Sequence, residues 1–92
     1  MEIQMEKSIY SKDYQQFLRL LRDARVAAEL TQEEVAARLG QTQSFVSKCE
    51  RGERRLDIVE THAICAAIGV SFTDFVAAFI RGIETQRKSK TS

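Results

Sequence analysis

Three glycines, Gly40, Gly52 and Gly69, each close a short run of helix-periodic residues, and no proline occurs anywhere in the 92-residue chain. Short-stranded all-β folds place glycine and proline at many closely spaced turns, and four glycines without proline cannot supply them. The chain therefore reads as mostly helical. Its length suits one domain, able to bury about 65% of the surface that the unfolded chain exposes, and is too short for two ordinary ones.

Apolar periodicity places the helices. From Ser11 onward, Tyr14, Phe17, Leu18, Leu21, Ala24 and Ala28 recur at three- and four-residue spacing with charged residues mostly between them, the pattern of an amphipathic helix. Glu29 stands where a glycine would most comfortably leave that helix. Thr31-Gln32-Glu33-Glu34 has the spacing of a capping box, so a second helix starts there, carries Val35, Ala36 and Leu39 inward and ends at Gly40. Only Gln41 and Thr42 precede a third helix with Phe45, Val46 and Cys49 at helical spacing, closed by Gly52. Asp57 with Glu60 offers another acidic cap for a fourth helix, whose inner stripe reads Ile58, Thr61, Ile64, Cys65 and Ile68. Ser71 to Asp74 resembles a further cap, before a fifth helix bearing Phe75, Val76, Phe79, Ile80 and Ile83. Residues 1–10 read as a flexible arm, 11–84 as the domain and 85–92 as a basic, disordered tail.

Several function classes fall away. No run reaches the roughly 18 apolar residues of a membrane span, and the first residues have neither a signal-peptide core nor a cleavage site, so a cytoplasmic location is expected. Two cysteines, Cys49 and Cys65, and one histidine, His62, cannot assemble a disulfide framework or a usual zinc site. No metal and no cofactor is expected. Both cysteines fall on inner stripes, where they act as small apolar groups; a thiol switch at the third helix is the other reading. No nucleophile–base pair, paired carboxylates or phosphate-cradling glycine loop is visible, so the chain does not read as an enzyme.

Charge is segregated. The formal net charge is only +1, but Lys48, Arg51, Arg54 and Arg55 fall within eight positions, dense enough to neutralise a few phosphates. That cluster begins within the second of two short helices that read as meeting at a tight turn. Such a unit needs a small residue where the helices touch, glycine at the turn and aliphatic groups beneath the second helix. Ala36, Gly40, Val46 and Cys49 meet these needs.

The segment LTQEEVAARLGQTQSFVSKCERGERR resembles the phage repressor and Cro type (Xre-like) of helix-turn-helix transcriptional regulator. The resemblance runs from about Phe17 to Phe75 and implies an all-α, five-helix lambda-repressor-like DNA-binding domain, with the helix-turn-helix at helices two and three. With Thr42 as N-cap, Gln43, Ser44, Ser47 and Lys48 lie on the outward stripe opposite Val46 and Cys49. Glutamine can bond adenine bidentately, and lysine can reach guanine O6 or N7; the resemblance implies base contacts at Gln43, Ser44 and Lys48, and Ser47 shares their stripe. It also implies phosphate contacts at Gln32, at the start of helix two where free amides favour an anion, and at Arg51, Arg54 and Arg55. Thr42 is placed with this phosphate set. An arginine late in helix one and a glutamate late in the recognition helix pair in the family, and Arg25 and Glu50 match them.

Three departures stand out: Gln41 replaces an aliphatic residue after the turn glycine, Phe45 is bulky for its place, and Glu29 displaces a glycine. Phe72, Phe75, Val76, Phe79, Ile80 and Ile83 spread over more than one narrow stripe of helix five; they either fill the domain's own core or meet a second copy, and a homodimer on a palindromic operator is expected. The functional expectation is sequence-specific double-stranded DNA binding by a repressor or autoregulator. The alternative is a protein-interaction module of the same fold, such as an antitoxin or bridging factor.

Overall fold

Local capping chemistry sets most of the helix boundaries. The computed structural model describes residues 7–91, with side chains from residue 12 to residue 85. Five helices follow one another: α1 (Lys7–Ala27), α2 (Gln32–Leu39), α3 (Gln43–Arg51), α4 (Ile58–Ile68) and α5 (Phe72–Thr91). Strands are absent among the described residues. Thr31 Oγ1 accepts from the Glu34 amide at 3.1 Å while Glu34 Oε1 accepts from the Thr31 amide at 2.8 Å. Asp57 and Glu60 form the same reciprocal pair at 2.7 and 3.0 Å. These close free amides that would otherwise weaken helices of only 8 and 11 residues.

The three helices α2, α3 and α4 enclose the core with α1 and α5 across it. Leu21, Val35, Ala36, Val46, Cys49, Ile64, Cys65, Ile68 and Phe75 form one buried cluster; each large member contributes roughly 1.5–3 kcal/mol relative to exposure. Thr61, the weak point in the α4 stripe, is buried with its hydroxyl donating 2.7 Å to the Asp57 carbonyl. Phe17 joins α1 to α5 through edge contacts with Phe75 at 5.9 Å and Phe79 at 6.1 Å. Among the described residues no single helix is long and apolar enough to cross a membrane.

The chain departs from the sequence reading at both ends and within α4. Helix α1 begins at Lys7, so the last four residues of the expected arm are helical; residues 1–6 lie outside the described residues. At the other end the backbone stays helical to Thr91 through the stretch expected as a disordered tail, because Glu84 and residues 86–88 are good helix formers and no glycine or proline follows Gly82. Ile58, expected on the inner stripe, is 70% exposed: at the first position of α4 it lies before the turn that meets the core. Glu29 takes the left-handed conformation, φ 59°, the backbone position a glycine would fill without steric cost.

Candidate nucleic-acid interface

Gly40 fixes the turn between α2 and α3. Its φ of 69° is left-handed and its amide donates to the Ala36 and Ala37 carbonyls, while a side chain there would meet nothing within 4 Å. The backbone angle, not space, requires glycine. Thr42 caps α3, its hydroxyl accepting from the Phe45 amide at 3.1 Å. Val46 and Cys49 point into the core at 4% and 1% exposure, which turns Gln43, Ser44 and Lys48 to solvent. Ser47 is half-buried and accepts a hydrogen bond from Arg51 Nη1.

A polar relay lies beneath the outward row. Arg25 grips Glu50 with two bonds, Nε to Oε2 at 2.6 Å and Nη2 to Oε1 at 3.0 Å, and donates Nη1 to the Leu30 carbonyl at 2.8 Å. Gln32 Nε2 donates to Glu50 Oε1 at 2.9 Å, and Gln43 Nε2 donates to Gln32 Oε1 at 2.7 Å. The arginine-bound carboxylate can only accept, so Gln32 must present its amide nitrogen to it and its oxygen to Gln43. That fixes the orientation of the Gln43 amide. Its carbonyl and second N–H then form the donor–acceptor pair that adenine N6 and N7 require.

The basic residues are held differently from what their spacing suggests. Arg51 binds Glu53 through Nε at 2.7 Å and Nη2 at 3.2 Å. Arg54 binds Glu60 at 2.8 Å, bonds the Arg55 carbonyl at 3.1 Å and stacks 4.9 Å from the Phe45 ring centre. Arg55 lies 4.4 Å over the Tyr14 ring, whose hydroxyl accepts from the Leu56 amide at 3.0 Å. The guanidinium groups of Arg51 and Arg54 hold the Glu53 and Glu60 carboxyls below their ordinary range. Sequence reasoning missed Glu53, Glu60 and Tyr14 as partners of these arginines; an acid set between Arg51 and Arg54 was the one visible signal for Glu53. Phe45 is half-buried against the core and carries Arg54 on its ring.

α1, α5 and the start of α4 border a groove of about 400 Å³ lined mainly by Tyr14, Phe17, Ile58, Phe72, Val76 and Phe79, so the ring that carries Arg55 also lines it. Of the residues expected to meet a second copy, Phe75 is only 7% exposed and belongs to the core, because α5 turns it against Phe17. Phe72, Val76, Phe79 and Ile83 are half-buried and Ile80 is 48% exposed. His62 is exposed with its ring 5.2 Å edge-on to Phe72. Cys49 and Cys65 are free and buried, and burial pushes both thiols up.

Residues 16–85 match the family profile described as a helix-turn-helix domain. An uncharacterised HTH-type transcriptional regulator, y4dJ, of Sinorhizobium fredii is 43% identical over 47 residues, 51% of this chain, and the matched segment spans 61% of that relative. An XRE-family like protein from Pseudomonas syringae pv. tomato superposes with a TM-score of 0.78 at 47% identity, covering 82% of this chain and 92% of that one. The crystal structure of the wild-type restriction–modification controller protein C.Esp1396I shares the fold, with a TM-score of 0.71 at 24% identity over 77% of this chain and 93% of its own.

Proposed function

The chain belongs to the XRE-type helix-turn-helix family of DNA-binding transcriptional regulators, and we propose that it binds one preferred double-stranded operator as a homodimer and acts as a repressor or autoregulator in the cytoplasm. The observation that carries this reading is the outward row Gln43, Ser44 and Lys48 on α3, set on the Arg25–Glu50–Gln32–Gln43 relay. The relay holds the reading side chain in one orientation before DNA arrives, which lowers the ordering cost of contact. Gln43 and Lys48 read base edges, Ser44 and Ser47 accept either partner, and Thr42, Gln32, Arg51, Arg54 and Arg55 border the sugar–phosphate backbone. Phosphate contacts set position and affinity, whereas the base edges set sequence.

One domain reads about half a turn's worth of bases. A second copy seated over the exposed Ile80 and the apolar groove beside it would place two recognition helices roughly 34 Å apart on one face of the duplex. The site is then a palindrome, and occupying it near a promoter blocks transcription. Selection from random duplex oligonucleotides with the purified chain tests this. A two-fold symmetric site, bound with an affinity that falls steeply as salt rises, is the expected result. Recovery of no site, with retention of a protein partner at high salt, would replace it by protein docking.

A further inference from the structure

The stretch from Lys48 to Glu60 holds four cations, Lys48, Arg51, Arg54 and Arg55, and four carboxylates, Glu50, Glu53, Asp57 and Glu60. With Glu50 paired to Arg25, the expected phosphate-binding edge as folded carries a net charge of only about +1. Arg51 and Arg54 do not stand free in it: each is bonded to a carboxylate oxygen, at 2.7 Å on Glu53 and 2.8 Å on Glu60. Glu50 is committed to Arg25 and Gln32 and is only 10% exposed, while Glu53 and Glu60 are surface groups, 55% and 29% exposed. We propose that Glu53 and Glu60 are internal competitors of DNA phosphate, holding Arg51 and Arg54 in the free protein and releasing them only when a duplex seats. The inference rests on the DNA-binding reading above.

The chemistry of exchange gives the proposal its signature. A free arginine that neutralises a phosphate releases about one condensed counterion, which steepens the dependence of log affinity on log salt by about 0.9. An arginine that first leaves a carboxylate exposes that anion, which takes up a cation in return. The two effects oppose, so Arg51 and Arg54 add little to the salt slope. Removing the competing charge restores the missing slope. Glu60→Gln does so without removing the α4 cap, since glutamine serves at the third position of a capping box as glutamate does. Glu53 caps no helix.

The test is fluorescence-anisotropy titration of a random-sequence duplex against the wild-type chain, Glu53→Gln, Glu60→Gln and the double variant over a series of salt concentrations. Glu84→Gln, on exposed α5, controls for the change in net charge, and circular dichroism confirms folding. Per bound protomer, each single variant steepens the salt slope by about one and the double variant by about two, with random-duplex affinity at low salt raised ~10-fold in the double variant; Glu84→Gln leaves the slope where it was. Wild-type binding that weakens with salt while both glutamine variants keep the wild-type slope overturns this inference and leaves DNA binding standing. A wild-type chain without salt-dependent affinity for any duplex overturns both.

Discussion

The two faces of the domain are finished in opposite ways. Under α3 the polar side chains are tied together: Arg25, Glu50, Gln32 and Gln43 form one directed chain, and among the described residues no buried side-chain nitrogen or oxygen lacks a partner. On α4 and α5 apolar surface is left open, with Ile58, which lines the groove, at 70%, Val59 at 72% and Ile80 at 48% exposure. The contrast teaches that rigidity and stickiness are kept apart. The proposed reading surface gains from preset orientation, while the proposed contact with a second copy needs only area and shape.

The contrast can be broken on the polar side first. Glu50→Ala leaves the Arg25 guanidinium, at 12% exposure, without its carboxylate and releases Gln32; urea denaturation should show a loss of about 3 kcal/mol. On the apolar side Ile80→Glu should leave urea stability within about 0.5 kcal/mol while weakening self-association at least ~10-fold, about 1.4 kcal/mol, in sedimentation equilibrium. Self-association that ignores this change would remove Ile80 from the proposed contact between copies. Smaller again, Thr31→Ala removes one half of the α2 capping box and should cost about 1 kcal/mol in the same denaturation assay.

Acid should erode the polar face selectively. The Glu34 carboxyl is lowered below its ordinary value of 4.5 by the Thr31 amide it accepts from, and Glu53 and Glu60 are lowered chiefly by their arginines. A folded-state value below the unfolded one means that the stabilisation is complete above the ordinary value and is lost as pH falls through the lowered one. Urea midpoints should therefore hold down to about pH 5 and decline below it, and Glu34→Gln should flatten that decline. An unchanged decline in this variant would remove the cap from the explanation.

What could be read from the sequence was the part written locally. Both capping boxes span four residues, the turn at Gly40 needs one backbone angle, and the inward set Val35, Ala36, Val46 and Cys49 follows from helical period alone; these fix the five-helix order. The exposure of Ile58 and the burial of Phe75 depend on how α4 and α5 sit against α1, which periodicity within one helix does not carry. The same holds for the arginines. Arg54 and Glu60 are six residues apart across a helix break, so no helical spacing links them, and Tyr14 reaches the Leu56 amide over 42 positions. The bonds joining Gln32 to Gln43 and Glu50 cross 11 and 18 positions and belong to the packing of α2 on α3.

The central claim is that the preset outward row of α3 reads base edges. It is tested most directly by comparing the affinities of the wild-type chain and of Gln43→Ala with Lys48→Ala for the selected duplex and for a scrambled one. The account predicts that the double variant binds both duplexes alike, near the wild-type affinity for the scrambled one, while remaining folded and dimeric. Undiminished preference for the selected duplex in that variant would contradict it.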